Sequence, residues 1–370
     1  MATKEYYQAE LWLEGPVHIG CGHNLNKKEY ILDKQNKRIW VPNFRKLINA
    51  LNKSGLLAEY EKYLMSGDRR DLNSFLKQSA LKLTYDQISQ YSYDISSINW
   101  DQRMNDLSLT LKDAYYNPYI PGSTIKGALM RNLLYAEQLN APVSGKAKLN
   151  ELDRLASQNQ RRNPRNSDIN RIFFDDMRAV EKGLHSVLTN NRGIKEQIKL
   201  ARYFQVSDSE PLDVVDLTLS QKIDSFRDRQ ENKLPIIRES IKPGKRVYFT
   251  ISIDERFPYD IKDIEESLER VTEEMNRLYR TPFGIDPLEG PLLSIGGGTG
   301  FLSKSFMYAR FGDQDGLTLT AKTLDLLFKK HKHKQDVREG VSPRTFKDTE
   351  YDGSYTEMGL CALHFHRIEG

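Results

Sequence analysis

Residues 119–135 read YIPGSTIKGALMRNLLY, and the rest of the chain is interpreted outward from this stretch. Pro121 and Gly122 predict a turn, because these two residue types most strongly interrupt regular structure. Ser123 is well suited to cap a helix that begins at Thr124, since its side-chain oxygen can accept a backbone N–H group of the first turn. The stretch therefore predicts a turn that leads directly into a helix.

The predicted helix has an apolar side and a more polar side. The apolar side, at helical spacing, consists of Ile125, Ala128, Leu129 and Leu133. The other side consists of Ser123, Lys126, Gly127 and Met130. Gly127 costs the helix about 1 kcal/mol relative to alanine, yet it lets another backbone or a nucleic-acid strand approach closely. The free N–H groups of the first turn, with Lys126 beside them, predict an anion site. An ordinary capped core helix is the alternative.

The segment PGSTIKGALMR, residues 121–131, resembles the PGSSIKGxxR signature of the RAMP proteins, which are RNA-binding subunits of CRISPR effector complexes. Further segments resemble the same superfamily, and in particular its Csm branch, one of whose subunits closes an end of the type III-A complex. These segments are GPVHIGCG at 15–22, ESIKPGKRVYFTISID at 239–254, PLLSIGGGTG at 291–300 and VSPRTF at 341–346. The resemblance implies a non-catalytic protein that binds CRISPR RNA, capping its 3′ end and helping its assembly or maturation in antiviral defence. It also implies other Csm-complex proteins as partners and no cofactor.

The composition is consistent with that resemblance. The chain has 370 residues, 38% hydrophobic and 29% charged, which predicts a soluble globular protein of two or three domains. No apolar run approaches the roughly 20 residues of a membrane helix, and residues 1–8 do not resemble a signal peptide. Two cysteines, Cys21 and Cys361, suit a reducing cytoplasm. A net charge of only +4 predicts a local RNA groove and leaves much of the surface for protein partners. No membrane is expected among the partners.

The first half is predicted to contain strands, one helical insertion and one loop. Alternation of apolar and polar residues over 7–13 predicts a half-buried strand, and residues 29–32 and 38–41 predict a hairpin. The pattern from about 44 to 111 is polar and helical, which predicts an insertion. Residues of about 140–170 predict a mobile loop, either solvated or RNA-binding. The arginines of this loop are Arg161, Arg162 and Arg165.

The second half is predicted to alternate strands and helices. Strands are predicted over residues 171–178, 201–209, 247–253 and 359–367. Residues 261–278 predict an amphipathic helix whose acidic outer face is unsuited to RNA, and residues 317–334 predict a helix that ends in KKHKHK. A Pro243-Gly244 turn is predicted to precede the strand at 247–253.

Together these patterns predict an α+β fold built from ferredoxin-like (βαββαβ, RRM-like) modules, with a helical insertion and a glycine-rich loop. The predicted division is an RRM-like domain at 1–255, which carries the insertion and the 140–170 loop, and a C-terminal half at 256–370 with the glycine-rich loop.

Residues in the motif-like segments are predicted to contact RNA, because backbone N–H groups in glycine loops can approach phosphates and basic side chains add charge. They are His18, Gly20, Gly22, Ser123, Lys126, Gly127, Arg131, Gly296, Gly297, Gly298, Gly300, Lys304, Arg344 and Lys347. A lone histidine such as His18 also fits a purely structural role.

The glycine-rich loop admits other interpretations. Residues 298–305, GTGFLSKS, have Ser303 where a Walker phosphate loop needs its second glycine. The GxGxxG pattern of dinucleotide-binding folds is met only in part and lacks a βαβ context. A tight loop for packing and a cradle for the RNA backbone remain open.

Catalytic and metal sites are not favoured. Asp175 and Asp176 are adjacent, so in a strand they would point to opposite faces, although Asp208 could join one of them in a two-carboxylate nuclease site. Two histidine pairs have no cysteine or carboxylate at zinc-ligand spacing and are predicted to be surface or RNA-proximal residues: His331 with His333, and His364 with His366.

Two rival functions remain. One is a CRISPR-RNA-processing endoribonuclease of the same superfamily, for which His18 is the plausible base. The other is a different RAMP subunit, either the repeating backbone subunit or the subunit at the opposite end of the complex. The chain length and the PRTF sequence at 343–346 favour the capping subunit.

Overall fold

Strand β1 (Lys4–Leu13) lies at the centre of the main sheet of this mixed α+β protein. The computed structural model describes residues 3–67, 69–79, 83–98, 106–158, 164–189, 195–226 and 230–368. After β1 the described strands are β2 (Gly20–Leu25), β3 (Ile31–Asp33), β4 (Arg38–Pro42), β5 (Ser89–Asp94), β6 (Leu107–Thr110), β7 (His185–Thr189), β8 (Lys195–Lys199), β9 (Phe204–Val206), β10 (Leu217–Phe226), β11 (Glu231–Ile241), β12 (Arg246–Asp254), β13 (Leu292–Ser294), β14 (Thr345–Tyr351), β15 (Ser354–Glu357) and β16 (Leu360–Arg367).

The helices range from single turns to a kinked helix of 21 residues. They are α1 (Phe44–Lys53), α2 (Leu57–Met65), α3 (Leu72–Gln78), α4 (Tyr85–Ile88), α5 (Gly122–Gln138), α6 (Lys146–Gln158), α7 (Asn166–Glu181), α8 (Ile261–Met275), α9 (Thr281–Phe283), α10 (Met307–Leu327) and α11 (Asp336–Glu339). A π-helical turn, Asn276–Arg280, continues α8. No described helix is both long enough and apolar enough to cross a bilayer.

The main sheet has five strands in the order β13-β16-β1-β12-β9, all antiparallel. Its inner face is covered by α5 and α8, which also pack on each other. The alternation predicted for β1 is confirmed, because Tyr7, Ala9, Leu11 and Leu13 are all buried. The strand after the Pro243-Gly244 turn is confirmed as well, as β12. Since β16 and β1 are neighbours, the two predicted halves of the chain share one sheet.

A second sheet has six strands in the order β15-β14-β10-β11-β6-β2. Strand β6 runs parallel to β11, and the remaining pairs are antiparallel. Because β6 lies at residues 107–110, the last part of the predicted insertion belongs to this sheet. The predicted helical insertion at 44–111 is therefore too long at its C-terminal end.

The helical insertion consists of α1–α4 and packs on the hairpin β3–β4, which pairs with β5. The predicted hairpin is confirmed, with Ile31 opposite Trp40 and Asp33 opposite Arg38. The unit has its own apolar core of Ile31, Leu47, Leu51, Tyr60, Tyr63, Leu72, Phe75, Leu76 and Ile88. A buried carboxylate, Glu239 on β11, joins the unit to the second sheet, because it accepts hydrogen bonds from the hydroxyls of Tyr91 and Tyr93 on β5.

The prediction of a loop at 140–170 and of a strand at 171–178 is wrong, because most of this region forms α6 and α7. Ile169, Ile172 and Phe173 recur at helical spacing and are buried against Leu152 and Phe311. The polar composition between these apolar residues hid their period. Two of the loop arginines, 161 and 162, lie outside the described residues, and the third immediately precedes α7.

Three further boundaries differ from the predictions. At 201–209 only Phe204–Val206 is a strand, and a 3-10 turn precedes it. The helix predicted over 317–334 is α10, which begins at Met307 and ends at Leu327. It begins earlier than predicted because two helical pieces are joined across a kink at Gly312 (φ 71°). The lysines and histidines that follow form short 3-10 turns instead of a helix end. The predicted helix at 261–278 and the closing strand are confirmed as α8 with its π turn and as β16.

Candidate nucleic-acid interface

Helix α5 begins two residues before the predicted position, so the expected Ser123 cap is wrong. The residue before the helix is Pro121, and no side chain of its own caps the turn. Gly122 presses against the backbone of residues 206–207, where a Cβ atom would lie 2.3 Å from the carbonyl oxygen of Val206. Its N–H donates to Oδ1 of Asp208 at 2.8 Å. A carboxylate of the chain itself therefore occupies part of the predicted anion site.

The remaining residues predicted on the start of α5 are accessible. Ser123 and Gly127 are exposed, Lys126 is half-buried, and no other described part of the chain lies within 4 Å of a Cβ built on Gly127. Lys126 forms no hydrogen bond or ion pair with a described residue. Partial burial lowers the pKa of its ammonium group. Met130, predicted on the same side, is buried instead, since the helix packs on two sides.

Arg131 connects α5 to the segment after the glycine-rich loop. Its Nη2 donates to the carbonyl oxygens of Leu302 at 2.6 Å and Ser305 at 3.1 Å. The guanidinium also lies 5.0 Å from the ring centre of Tyr135 and 5.6 Å from that of Phe306. Burial lowers the pKa of Arg131 to about 10. These hydrogen bonds hold the segment after the glycine-rich loop against α5. Contact between Arg131 and RNA remains a prediction.

The loop that contains His18 and the glycine-rich loop are joined through their backbones. Gly297 N–H donates to the carbonyl oxygen of His18 at 2.8 Å. Residue Gly359 is bound to both loops, because its N–H donates to the Pro16 carbonyl at 2.8 Å and its carbonyl accepts from Ile295 N–H at 2.9 Å. The sequence analysis predicted RNA contacts in each of these two loops separately, and the structure places the loops in direct contact.

Glycine is required at the contact between these loops. Gly296 has a φ of +79°, and a Cβ there would lie 2.3 Å from the His18 carbonyl oxygen. A Cβ on Gly297 would lie 2.9 Å from the His18 ring. Gly298 and Gly300 also have positive φ values, of +96° and +87°. The loop therefore has a shape that side chains would prevent.

His18 is buried, and its ring orientation is fixed. Its Nδ1 lies 2.7 Å from the carbonyl oxygen of Glu239. Because a carbonyl only accepts, Nδ1 carries the proton and Nε2 is left as an acceptor in the neutral ring. Burial, with the positive charges of Arg238 and Lys112, lowers the pKa of His18. The imidazole at neutral pH can therefore accept a hydrogen bond, for example from a ribose hydroxyl.

Arg238, on β11, was missed by the sequence analysis. A Cβ built on Gly297 would lie 3.8 Å from Arg238 Nε and 3.8 Å from His18 Nε2, so these three residues meet. The guanidinium forms no hydrogen bond or ion pair with a described residue, and its Nη1 is buried. The one sequence signal for Arg238 is the alternation along β11. Ile237 and Glu239 on either side of it are buried, so the Arg238 side chain points to the opposite face of the strand.

Lys304 adds a second positive charge that no carboxylate of the described residues neutralises. Lys304 follows the glycine-rich loop along the chain, and burial together with the charge of Arg238 lowers the pKa of its ammonium group. Arg238, Lys304, His18 and the loop 296–298 are called the glycine site below. Two unneutralised cations beside a bare backbone loop form a site for an anion.

Arg344 and Lys347 have partners within the protein. Arg344 donates to the side chain of Gln335 at 2.7 Å and to the carbonyl of His331 at 2.9 Å, away from the glycine site. Lys347 donates to Oδ1 of Asp224 at 2.7 Å and touches Gly300 through its aliphatic chain. Gly20 adjoins the His18 ring, whereas Gly22 (φ +81°) has no described neighbour within 4 Å of a built Cβ.

Of the carboxylates considered for a nuclease site, Asp208 lies on a different element from Asp175 and Asp176. Asp208 caps α5, and Asp176 on α7 pairs with Lys148 at 3.3 Å and Arg310 at 3.5 Å. Asp175 is exposed on the same helix. Within the described ranges, no three His, Cys, Asp or Glu side chains are arranged to hold a metal ion.

The predicted surface position of His333 is wrong. Its Nδ1 lies 2.9 Å from Oδ2 of the buried Asp336, which also accepts from Ser342 Oγ at 2.8 Å. Since the serine bonds to the carboxylate and not to the imidazole, the three do not form a nucleophilic triad. His331 is exposed and stacks on His333, and the other pair, His364 and His366, lies on the outer face of the main sheet.

Comparison with known proteins agrees with this architecture. The model of the RAMP superfamily matches residues 11–303. The chain is 27% identical to the CRISPR system Cms protein Csm5 of Mycobacterium tuberculosis (strain H37Rv), covering 96% of both chains. It is 26% identical to the protein of that name from Enterococcus italicus, covering 99% of both.

Two solved structures share the fold. A chain of the Csm–crRNA–target RNA ternary complex of a type III-A CRISPR-Cas system matches with a TM-score of 0.61 and 19% identity, covering 97% of this chain and 100% of that chain. Csm5 of T. onnurineus matches with a TM-score of 0.55 and 18% identity, covering 95% of this chain and 99% of that one. The resemblance seen in the sequence is confirmed, and the chain belongs to the RAMP superfamily.

Proposed function

We propose that this chain is a non-catalytic, RNA-binding subunit of a type III-A CRISPR ribonucleoprotein. It binds CRISPR RNA, caps one end of the complex at the 3′ end of that RNA, and assists assembly or maturation in antiviral defence in the cytoplasm. Two similarities support this proposal: the relatives named Csm5, and the similar chain that belongs to a Csm–crRNA–target RNA complex. The partners are the RNA and other Csm proteins.

The observation that carries the proposal is the glycine site. Arg238 is half-buried and Lys304 is exposed beside a loop without side chains, and neither is neutralised by a described carboxylate. Keeping a half-buried cation near a second cation is unfavourable unless an anion joins them. A phosphate of the RNA backbone supplies that anion, and backbone contacts of this kind position a nucleic acid without reading its sequence.

We also infer that the main sheet is a ferredoxin-like unit. The strands β1, β9, β12 and β16 alternate with α5 and α8 in the chain order βαββαβ, and their spatial order is β16-β1-β12-β9. This connectivity supports the inference. The glycine site then lies where the loop after β1 meets the loop after β13, next to the second sheet.

The test is RNA binding by the purified protein, measured as fluorescence anisotropy of a labelled single-stranded RNA. The Arg238→Met, Lys304→Met double variant removes both charges and keeps most of the apolar volume. Affinity is expected to fall about tenfold or more, since each lost charge-assisted contact is worth roughly 1.5 kcal/mol or more.

The matched control is Arg45→Met, Lys262→Met, which removes the same two residue types from exposed positions on α1 and α8. Its affinity is expected to change less than about twofold, because distant surface charges are screened by salt. If the two double variants bind RNA equally well, the glycine site is not the RNA site.

The endoribonuclease remains a second candidate because of one observation. The neutral His18 ring keeps Nε2 free as an acceptor beside the same loop, which is the form a general base needs. General acid–base cleavage also needs a positioned acid, and Lys304, which follows the same loop along the chain, is a group of suitable type. Incubating the purified protein with RNA distinguishes the two functions.

A further inference from the structure

Two adjacent tyrosines are exposed on the turn that connects β6 to the segment before α5. Tyr115 is 84% exposed and Tyr116 is 50% exposed. Among the residues that the structure describes, neither hydroxyl has a hydrogen-bond partner and neither ring stacks on another aromatic ring. Because little of their surface is removed from water, the two rings contribute little to the stability of the fold.

The turn itself does not require aromatic side chains. Asp113 closes it, because its Oδ1 accepts from the N–H groups of Tyr115 and Asn117, each at 2.8 Å. The N–H of Asp113 donates to the carbonyl oxygen of Asn117 at 2.9 Å. These bonds use only the backbone at position 115. Tyr116 has a φ of +70°, which is unfavourable for a bulky side chain and which glycine or asparagine adopts more readily. The turn therefore holds the two rings in a fixed position without gaining from them.

The residue before this turn, Lys112, is anchored beside the glycine site. Its ammonium group binds the carboxylate of Glu239, and the backbone carbonyl oxygen of Glu239 lies 2.7 Å from Nδ1 of His18. Tyr115 follows Lys112 by three residues, which span at most roughly 11 Å. The bases of an RNA strand extend away from its phosphates. A ring at this distance is therefore placed to meet a base of a strand whose phosphate lies at the glycine site.

The chemistry of the exposed ring favours a nucleobase as its partner. The flat face of a tyrosine stacks on any base, and such rings accompany basic sites that hold the backbone of a single strand. Two tyrosine rings supply at most about 500 Å² of surface. This is less than the roughly 800 Å² that each partner of a stable protein interface buries, whereas one base covers one ring.

We propose that Tyr115 stacks on one base of the RNA whose backbone is held at the glycine site, whatever the identity of that base. This inference rests on the proposed function, because the glycine site brings the strand to the turn. Stacking uses the face of a base and not its hydrogen-bonding edge, so it fixes the position of one base without selecting a sequence.

The test is the affinity of the full chain for a labelled single-stranded RNA, measured as fluorescence anisotropy. Tyr115→Ala removes the ring and is expected to lower the affinity about fivefold or more, the effect of one lost stacking contact. Tyr115→Phe keeps the ring and is expected to bind as the wild type does. The matched control is Tyr6→Ala, which removes a tyrosine that is 47% exposed on β1. Tyr6 lies about 24 Å from the end of β1 that leads to His18, and the control is expected to leave the affinity unchanged.

A second measurement separates stacking from damage to the backbone site. The same variants are compared on an abasic strand of equal length, which keeps the phosphates and has no bases. On this strand the wild type and Tyr115→Ala are expected to bind equally well. An equal loss of affinity on both strands would show that the substitution disturbs the glycine site. A loss in Tyr115→Phe as large as that in Tyr115→Ala would assign the contact to the hydroxyl. Either result overturns the inference.

The remaining outcomes distinguish this inference from the proposed function. If Tyr115→Ala binds RNA as tightly as the wild type, the inference is overturned and the proposed function stands. If that variant also fails to assemble with the other subunits, the partner of the ring is a neighbouring protein. A wild type that binds neither strand would overturn the proposed function itself, and this inference with it.

Discussion

The backbone N–H of Gly297 donates a 2.8 Å hydrogen bond to the carbonyl oxygen of His18. This bond joins the loop after the first strand to a loop near the end of the chain. It also places the His18 ring against Gly297, next to Arg238. The glycine site therefore depends on a close backbone contact, and substitutions that separate the loops will damage it without removing any charge.

Gly296→Ala is expected to weaken RNA binding and to lower the free energy of unfolding by about 2 kcal/mol or more, since it combines an unfavourable φ with a steric overlap. The new Cβ would lie 2.3 Å from the His18 carbonyl oxygen. The matched control is Gly284→Ala, where φ is +66° and no described atom lies within 4 Å of the built Cβ. The control is expected to cost about 1 kcal/mol from backbone strain alone and to leave RNA affinity unchanged. Urea unfolding and anisotropy measure the two effects, and equal affinity losses would contradict the prediction.

Replacing Lys126 and Lys304 together by alanine is expected to lower RNA affinity without changing the circular-dichroism spectrum. Both ammonium groups are free of partners among the described residues. If each contacts one phosphate, the slope of log affinity against log salt concentration becomes less steep by about 1.4, because fewer counterions are released. An unchanged slope would mean that these lysines do not contact the RNA backbone.

His18 is expected to make stability depend on pH below about 6.5, the pKa of an unfolded histidine. The pKa of His18 in the folded protein is lowered by burial and by Arg238 and Lys112, against the opposing effects of Glu239. As the pH falls through 6.5 towards the lower folded value, the unfolded chain binds more protons than the folded one, so stability decreases. Above 6.5 both forms are neutral and this effect is absent.

The measurement is the unfolding midpoint at pH 7.5 and at pH 5.5, for the wild type and for His18→Gln. The wild type is expected to lose more stability between the two pH values than the variant. Identical losses would show that His18 is not the titrating group.

Glu239→Gln is expected to lower the free energy of unfolding by about 3 kcal/mol or more, because removing one partner of a buried ion pair leaves the other uncompensated. The carboxylate is fully buried, pairs with Lys112, and accepts from the backbone N–H of Thr110 at 2.7 Å. Tyr91→Phe removes one 3.0 Å hydrogen bond to the same carboxylate and is expected to cost only about 1 kcal/mol. Urea unfolding of the two variants measures the difference.

The purified chain is expected to leave labelled RNA intact in the presence of Mg²⁺ or Mn²⁺ and to release no phosphate from ATP. Catalysis requires a base or metal within reach of the reacting group, and Asp208 lies on a different element from Asp175 and Asp176 on α7. Cleavage that disappears in His18→Ala, but not in Asp175→Ala or Asp208→Ala, would establish the endoribonuclease.

Strong periodic patterns predicted much of the fold. The alternation in β1 and β12 and the long amphipathic α8 were found because each buries one face against the same core. Helix α7 was missed because Ile172 and Phe173 are adjacent, so a short window is read as a strand. The start of α5 was misplaced because its capping carboxylate, Asp208, is far away in sequence. Local rules cannot include a partner that only the tertiary fold supplies.

The same limit applies to the candidate site. Glycines 296 and 297 were recognisable from sequence, since a cluster of glycines indicates a loop with unusual backbone angles. Arg238 was not recognisable, because one arginine in a strand is indistinguishable from a surface charge until His18 and Gly297 are seen beside it. The sequence also could not predict that Arg131 donates hydrogen bonds to the carbonyls of Leu302 and Ser305, because these residues are far from it along the chain.

Gly359, which bonds both to Pro16 and to Ile295, sets an order of events during protein synthesis. The loop of His18 leaves the ribosome early, whereas the residues that hold it against the glycine-rich loop are among the last of those described. A nascent chain therefore carries every basic side chain of the site before the site has its shape. A chain that stops before Gly359 therefore lacks both hydrogen bonds that tie the His18 loop and the glycine-rich loop to the closing strand.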